Sequence, residues 1–540
     1  MQKNSALWIL RATDGCVSDL KYGTWTISSY EESAAGALRA AGWSPVTAAV
    51  LCSRGYDTPE KAQEFLSADV PLSSPMDLLD MDKAVRRVRK ALERREHICV
   101  FGDYDVDGIT ATCLLTDFLR KRGAHVTSYI PARLEEGYGL NEIAVRALRA
   151  QDVKLIITVD CGITANQEAA LCKELGMELV ITDHHECKSD LPEAVAVVDP
   201  HRKDQPEPVL EMAGVGVAFK LAAALAGDQE ALLAEYCDLL CLGTVADVMP
   251  LTGENRKMVW RGLQALSNPK RVGLAALMAE CGALRPPITA GTIGYTLAPR
   301  INAAGRMGNA DLALDLLMCD NYGECCAMAE ALEDVNNQRR AIEAELSDIA
   351  KEQAGRIYHG QRALVVAGEG WHEGVKGIVA SRLVNTYGVP ALLFTIDGDE
   401  ARGSGRSVGN VNLFEAVESI SYLTKRFGGH GAAVGVTIPT KNLKAFAQRL
   451  DAYMQKLPEA AFHPLTEVDA LVSLDELTLE SVALVERLAP FGQENPQPTF
   501  LARNVTLVNT RAVGQTKDHF ACTLTNGRAS VAGIMFHRAA

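Results

Sequence analysis

Between residues 97 and 200 the hydrophobic pattern alternates between two periods. Short runs rich in apolar and β-branched residues predict strands at 97–101, 125–130, 154–159, 178–182 and 195–198. Stretches with apolar positions every three or four residues predict helices at 109–122, 141–150 and 164–175. Such alternation builds a mostly parallel sheet with helices on its faces. A second α/β pattern starts near 363. It predicts strand 363–367, helix 374–387, strand 391–395, a glycine-rich strand 403–407, helix 413–420, strand 434–438 and helix 441–455.

The remaining pattern frames these two units. Residues 1–90 predict a helical lead-in, with helix starts at Ser44-Pro45 and Asp57-Thr58-Pro59-Glu60. Met81 to Arg95 predicts a basic helix, and 212–320 reads as mainly helical. Glu324 to Gln353 is highly charged, with sparse apolar positions (Met328, Leu332, Val335, Ile342, Leu346, Ile349), as suits a helix spanning two domains. After Pro458, His463 and Pro464, β-rich runs such as Asn504–Val508 and Ala521–Leu524 predict a small barrel. Five strands are hard to place before Ala540, so the barrel is expected to be shortened or completed differently. The expected architecture is α/β. A lead-in (1–90) precedes a parallel-sheet domain (91–323), a connecting helix (324–355), a smaller α/β domain (356–460) and a barrel (465–540).

Composition narrows the function. The 540 residues are 48% hydrophobic, enough for several cores, and carry a net charge of −14. That charge argues against a general nucleic-acid coat but leaves room for a local basic channel. The 14 cysteines are scattered through apolar or helical stretches without paired Cys-x-x-Cys spacing, which predicts reduced thiols in a cytosolic protein. Leu7–Leu10 is too short for a signal peptide, and Met212–Gly227 is short for a membrane span and contains Lys220. A soluble, cytoplasmic protein is expected.

The candidate chemistry sits where apolar runs end. The first run closes in Gly102, and Asp103, Asp105 and Asp107 follow at alternate positions, on one side of an extended segment. Gly108 is expected to let the backbone turn into the next helix. The strand 155–159 ends in Asp160-Cys161-Gly162, and the strand 179–182 in Asp183-His184-His185. The apolar run Leu242–Ala246 delivers Asp247. C-terminal strand ends of a parallel sheet share one edge, so Asp103, Asp105, Asp107, Asp160, His184, His185 and Asp247 are expected on one rim. Any one of the acids alone reads as a helix cap, and His184-His185 alone as a satisfied core pair. Together they read as a site for hard divalent cations, manganese or magnesium, since like charges this close repel unless neutralised.

The strings Asp103-Tyr-Asp-Val-Asp-Gly108, Val159-Asp-Cys-Gly162, Asp183-His-His185 and Ala246-Asp-Val248 resemble the four successive motifs of the DHH phosphoesterase superfamily. Pro131-Ala-Arg-Leu-Glu-Glu-Gly-Tyr-Gly-Leu140, Ala298-Pro-Arg-Ile-Asn-Ala-Ala-Gly-Arg306, Gly403-Ser-Gly-Arg-Ser407 and Gly428-Gly-His-Gly431 resemble its RecJ branch, the single-strand-specific 5′→3′ DNA exonucleases. The resemblance covers residues 45 to 540. It implies two divalent cations, Mn2+ or Mg2+: Asp103 and Asp105 would serve one ion, and Asp107, His184 and Asp247 the other, with Asp160 bridging. His185 would lie beside the scissile phosphate or its attacking water, so the catalytic residues are expected to be His185, Asp160 and Asp107. Phe101 stands where many DHH enzymes carry histidine, which leaves the division of Asp103, Asp105 and Asp107 between the ions open.

Phosphate contacts are expected from Arg133, Arg300, Arg306, Arg402, Ser404, Arg406, Ser407 and His430, because arginine beside glycine-exposed amides grips phosphate. The resemblance implies that these bind the DNA backbone and its 5′ end. The second α/β unit would be the DHH-associated domain and the C-terminal segment an OB-type domain. The implied partner is single-stranded DNA with a 5′ end. A single-strand-binding protein or a helicase is the protein partner considered, and a monomer the expected state. A rival reading keeps the chemistry but acts on nano-RNA or cyclic dinucleotides; the long helix, the arginine strings and the extra domain argue against it. Another rival, a non-catalytic replisome scaffold, predicts eroded ligands, whereas every motif acid is present here.

Overall fold

The computed structural model describes residues 24–67, 70–132, 136–137, 139–187, 190–206, 211–463 and 465–536. In the first unit the strands Ile98–Phe101, Val126–Tyr129, Leu155–Val159, Glu178–Thr182 and Ala196–Val198 form one wholly parallel sheet. Val126–Tyr129 lies on one side of Ile98–Phe101 and Leu155–Val159 on the other. The chain therefore reverses direction across the sheet between the ends of Ile98–Phe101 and Leu155–Val159. Ligands of open α/β sheets bind in the crevice at such a switch point.

Alternate strand residues feed two cores, as the two-residue period requires. Ile98, Val100, Leu155, Ile157 and Val159 pack with the helices Met81–Arg94, Val106–Arg120 and Gly214–Ala226. Cys99, Phe101, Ile156, Leu179 and Ile181 face the helices Glu142–Ala150 and Asn166–Glu174. Phe101 is fully buried and stacked on Tyr129, so it is part of the floor under the rim.

The charged helix is longer than its pattern predicts, Tyr322–Ile357. Cys325, Ala329 and Leu332 near its start join the core of the first unit that holds Ile98 and Val100; Leu346, Ala350 and Ala354 join a core of the second unit with Leu364 and Leu393. Between them Asn336, Arg339 and Glu343 are buried and bonded to one another, with Arg382 completing the cluster.

The second unit is a five-stranded mixed sheet in spatial order Arg426–His430, Ala433–Pro439, Glu400–Arg406, Ala391–Asp397, Leu364–Glu369. The strand Arg426–His430 has no apolar signal, because it consists largely of glycine and charged residues, and only its ladder to Ala433–Pro439 reveals it.

Some expectations need correction. The lead-in is not wholly helical, because Thr24–Ile27 pairs in parallel with Leu465–Val468, a contact no local pattern encodes. The helix predicted at 109–122 begins at Val106, since Asp105 caps it by accepting from the amides of Asp107 and Gly108. Asp107 therefore sits in a helical turn and not on an extended segment. Gly108 does not make the turn; a Cβ there would lie 2.5 Å from the backbone of Asp103, so glycine permits a close approach. At the C-terminus the described residues form a three-stranded antiparallel sheet, Thr506–Val513, His519–Thr525 and Ser530–Met535, in line with the shortened β domain expected there.

Candidate metal centre

The rim assembles at the switch point. Asp103 and Asp105 follow the strand Ile98–Phe101, Asp160 follows Leu155–Val159, and His184 and His185 follow Glu178–Thr182. Asp247 arrives differently from expectation: it caps the end of the helix Gln229–Ala246, not a strand. The apolar run before it is apolar because that helix is buried.

Two ligand groups result. Ligand atoms of Asp103, Asp105 and Asp160 lie within 4.8 Å of one another, as do those of Asp107, His184 and Asp247; Asp160, His184 and His185 form a third, overlapping set. His184 Nε2 lies 3.1 Å from Asp160 Oδ1, 3.4 Å from Asp247 Oδ2 and 3.8 Å from Asp107 Oδ2. It is buried and makes no hydrogen bond, and the same holds for Asp247 Oδ2. Burial and the neighbouring His185 push the His184 imidazolium down to about 4, so His184 is neutral. A neutral imidazole nitrogen aimed among carboxylates fits a divalent cation.

Backbone packing holds the acids in place. Asp107 accepts from the amides of Gly214 (2.6 Å) and Val215 (2.9 Å), at the N-terminus of the helix Gly214–Ala226. A Cβ at Gly214 would fall 2.5 Å from Asp160 Cβ, and one at Gly243 would fall 2.6 Å from Asp107 Oδ1. Asp160 and Val248 both adopt left-handed backbone, at φ 60° and 58°. That is a strained choice for β-branched Val248, and such strain clusters at functional sites.

Sequence reasoning missed several supporting groups. Asp183 accepts from the amides of Ile163, His184 and His185 and from His185 Nδ1 at 2.7 Å. Burial alone would raise its pKa, but His185 and these amides hold it low. In return, although burial lowers the His185 imidazolium, Asp183, Asp247 and Asp103 raise it to about 9. His201 donates from Nδ1 to the carbonyl of His184, and buried Asp199 accepts from the His201 amide. Asp199-Pro200-His201 follows the strand Ala196–Val198 at the same rim, so the strand-end rule reaches it. Asn302, within the string Ala298–Arg306 that carries the resemblance, accepts from the Val106 amide.

The phosphate candidates separate. Arg133 lies outside the described residues. Arg300 is buried, ion-paired with Glu333 of the long helix and bonded to the Thr296 carbonyl. Arg306 bonds to the Gly374 carbonyl, joining the first unit to the second. Cross-strand partners share a face, so the register sets three rows: Arg426, Thr437 and Arg402; Gly428, Gly435 and Ser404; His430, Ala433 and Arg406. Nothing covers Gly428 or Gly435 where a Cβ would stand. A Cβ at Gly377 would meet the Arg406 guanidinium at 2.6 Å, placing that arginine over the start of the helix Lys376–Tyr387. Ser407 lies one residue past its strand and donates to the Val411 carbonyl at 2.6 Å.

These features define a DHH-type protein: the description "DHH family, N-terminal domain" matches residues 97–244, "DHHA1 domain" 360–456 and "RecJ OB domain" 468–540. Single-stranded-DNA-specific exonuclease RecJ of Bacillus subtilis (strain 168) is 39% identical over 498 residues, 92% of this chain; the chain spans 63% of that relative's length. RecJ of Salmonella typhimurium (strain LT2) is 32% identical over 517 residues, covering 91% of this chain and 89% of the relative. The crystal structure of RecJ from Thermus thermophilus in complex with Mn2+ superposes with a TM-score of 0.79 at 31% identity, covering 94% of this chain and 74% of that one. The chain belongs to the RecJ family.

The acids make stability depend on pH in the absence of metal. Burial, then Asp105, raises Asp107 to about 7; burial, then Asp107 and Asp105, raises Asp247 to about 8. Both stand above the unfolded value of about 4. Between those limits the folded state binds more protons than the unfolded one, so stability falls as pH rises. In EDTA the melting temperature is expected to decline from about pH 4 to about pH 8, and saturating Mn2+ to cancel the decline. A metal-free melting curve that is flat or rises over this range would contradict the assignment.

Proposed function

We propose that this chain is a metal-dependent exonuclease that hydrolyses single-stranded DNA from the 5′ end, in repair and recombination. The observation that carries the reading is the pair of acid and histidine groups meeting at Asp160 and His184, with the arginine-bearing second unit tied to the first through Arg306 and the Gly374 carbonyl. Two divalent cations, Mn2+ or Mg2+, would be held by Asp103, Asp105 and Asp160 and by Asp107, His184 and Asp247. When bound, they lower the pKa of water and neutralise charge that develops on the phosphate oxygens. Asp183 occupies Nδ1 of His185, which leaves Nε2 as the nitrogen to hold a proton at the scissile phosphate. Arg306 and the face bearing Arg402, Ser404, Arg406, Arg426 and His430 would hold the strand and its end.

In this proposal residues 91–323 hydrolyse, 324–355 space the two units, 356–460 grip the end, and 465–540 hold the incoming strand, with 1–90 bracing them. A monomer working in the cytoplasm, beside a helicase or single-strand-binding protein that supplies ends, belongs to the same reading. Among the described residues no helix is long and apolar enough to cross a membrane.

The experiment is hydrolysis of 5′-labelled and 3′-labelled single-stranded and duplex DNA by the purified chain with Mn2+. Mononucleotide release from the 5′ label of the single strand is expected first; simultaneous loss of internal label or a preference for duplex would refute the reading. Binding to a non-cleaved strand should also weaken with salt despite the acidic composition. Contacts by Arg306, Arg402, Arg406 and Arg426 predict a log–log slope of roughly −3, at about −0.7 per phosphate. A slope near zero would mean that these arginines do not meet phosphate.

A further inference from the structure

The short connection between the helix Ala310–Met318 and the long helix Tyr322–Ile357 gathers thiols. Cys319 follows the first helix in extended conformation, at ψ 136°. Asn321 caps the second by accepting from the amides of Gly323 and Glu324. The cap fixes the first turn of the long helix, where the Cys325 amide bonds to the Asn321 carbonyl at 2.9 Å. The Cys325 side chain thus folds back toward Cys319, and its Sγ donates to the Cys319 carbonyl at 3.4 Å. Cys319 Sγ in turn lies 3.6 Å from the Asn321 carbonyl and 3.8 Å from Glu324 Oε2. A disulfide needs two Cβ atoms that face each other at about 4 Å, and a side chain folded over its partner's carbonyl is disposed that way.

The two sulfurs differ in access. Cys325 is fully buried and belongs to the core with Ala329 and Leu332. Burial, then its hydrogen-bonding neighbour Cys319, pushes the Cys325 thiol up to about 12, so a dissolved reagent meets a covered, protonated sulfur. Cys319 is only partly covered, and the Glu324 carboxylate stands beside its proton. Cys326 is exposed, next to the Tyr322 hydroxyl. Redox-responsive cysteines are accessible and poised beside a resolving thiol, and Cys319 beside Cys325 has that arrangement. Cys237 and Cys241, one helical turn apart, are both buried and lack it.

We propose that Cys319 and Cys325 are a peroxide-sensitive thiol pair, with Cys319 the reacting group and Cys325 its resolving partner. Cys319 attacks one oxygen of hydrogen peroxide. An S–O bond forms, the O–O bond breaks, and the leaving hydroxide takes the thiol proton as water. Cys325 then attacks the sulfenic sulfur of Cys319. An S–S bond forms, the S–O bond breaks, and the Cys325 proton leaves with the hydroxide as a second water. Two thiols are oxidised and one peroxide is reduced. The disulfide staples the end of the helix Ala310–Met318 to the first turn of the long helix. Closing it before the sulfenic acid oxidises further keeps the change reversible, because thiol exchange reopens it. In a reducing compartment the pair rests as two thiols and closes transiently.

The test treats the folded full chain with hydrogen peroxide, removes the excess, and unfolds it in N-ethylmaleimide before cleavage at glutamate. Cleavage after Glu324 separates Cys319 from Cys325 unless a bond joins them. The expected product is the linked pair of peptides with Cys326 alkylated, and dithiothreitol is expected to part them. C326S is expected to link as wild type. C325S is expected to hold Cys319 as a sulfenic acid that dimedone traps. C319S is expected to leave Cys325 alkylated and unoxidised; it alters a partly exposed side chain and carries the test without C325S. A folded wild type in which both cysteines remain alkylated, a link that runs through Cys326, or a C319S chain that still loses the Cys325 label would overturn the inference.

Discussion

Replacing Asp160 by asparagine is expected to abolish hydrolysis while yielding a metal-free protein that melts higher than wild type. Asp160 belongs to two of the three ligand groups, so its loss should exceed the roughly 10²- to 10³-fold that one electrostatic contact to a transition state is worth. Stability should move the other way. Burial and the charges of Asp107, Asp105, Asp103 and Asp247 push the Asp160 carboxyl well above the usual range, so without metal the ionised group destabilises the fold. Asparagine keeps the shape and tolerates φ 60°, whereas alanine there costs about 1–2 kcal/mol. Asp160→Ala should therefore be equally inactive but gain less stability. Measured activity and melting temperature in EDTA separate the effects. Substantial activity in Asp160→Asn would sink the two-ion arrangement, and a lower melting temperature would show that Asp160 stabilises the metal-free fold.

Arg406→Ala is expected to cut kcat/KM ten- to a hundredfold on a 5′-phosphorylated strand, and clearly less on a 5′-hydroxyl strand. Arg406 shares a row with His430 and stands over the start of the helix Lys376–Tyr387, whose N-cap residue Val375 makes no side-chain cap bond. Amides at such a helix start and a guanidinium beside them make a phosphate seat. One charge-assisted contact is worth roughly 1.5–3 kcal/mol, which gives the stated range. Only a 5′-phosphate offers the additional anionic oxygens. Kinetics of both proteins on both substrates provide the comparison; equal losses would reject the end pocket and leave Arg406 as a general backbone contact.

Much of this was legible in the chain itself. Runs that are apolar but for threonine, ending in acids at 101–103, 159–160 and 182–184, located three strand ends, because in a doubly covered parallel sheet both faces of each strand are buried and the run cannot alternate. The sparse apolar stripe of 324–353 foretold a helix shared by two cores for the same reason of burial. Tertiary structure alone decided the rest. Asp247 comes from a helix, and a buried helix and a buried strand read alike over a short apolar run. Thr24–Ile27 finds its partner more than four hundred residues away, through ladder bonds that leave no mark on either segment. Arg300 pairs with Glu333, thirty-three residues on, whereas Arg406 bonds to Ser404 and the Gly405 carbonyl, a difference that the flanking residues do not announce. Charge can be read from sequence, but which charges meet each other and which face an open groove depends on contacts between distant elements.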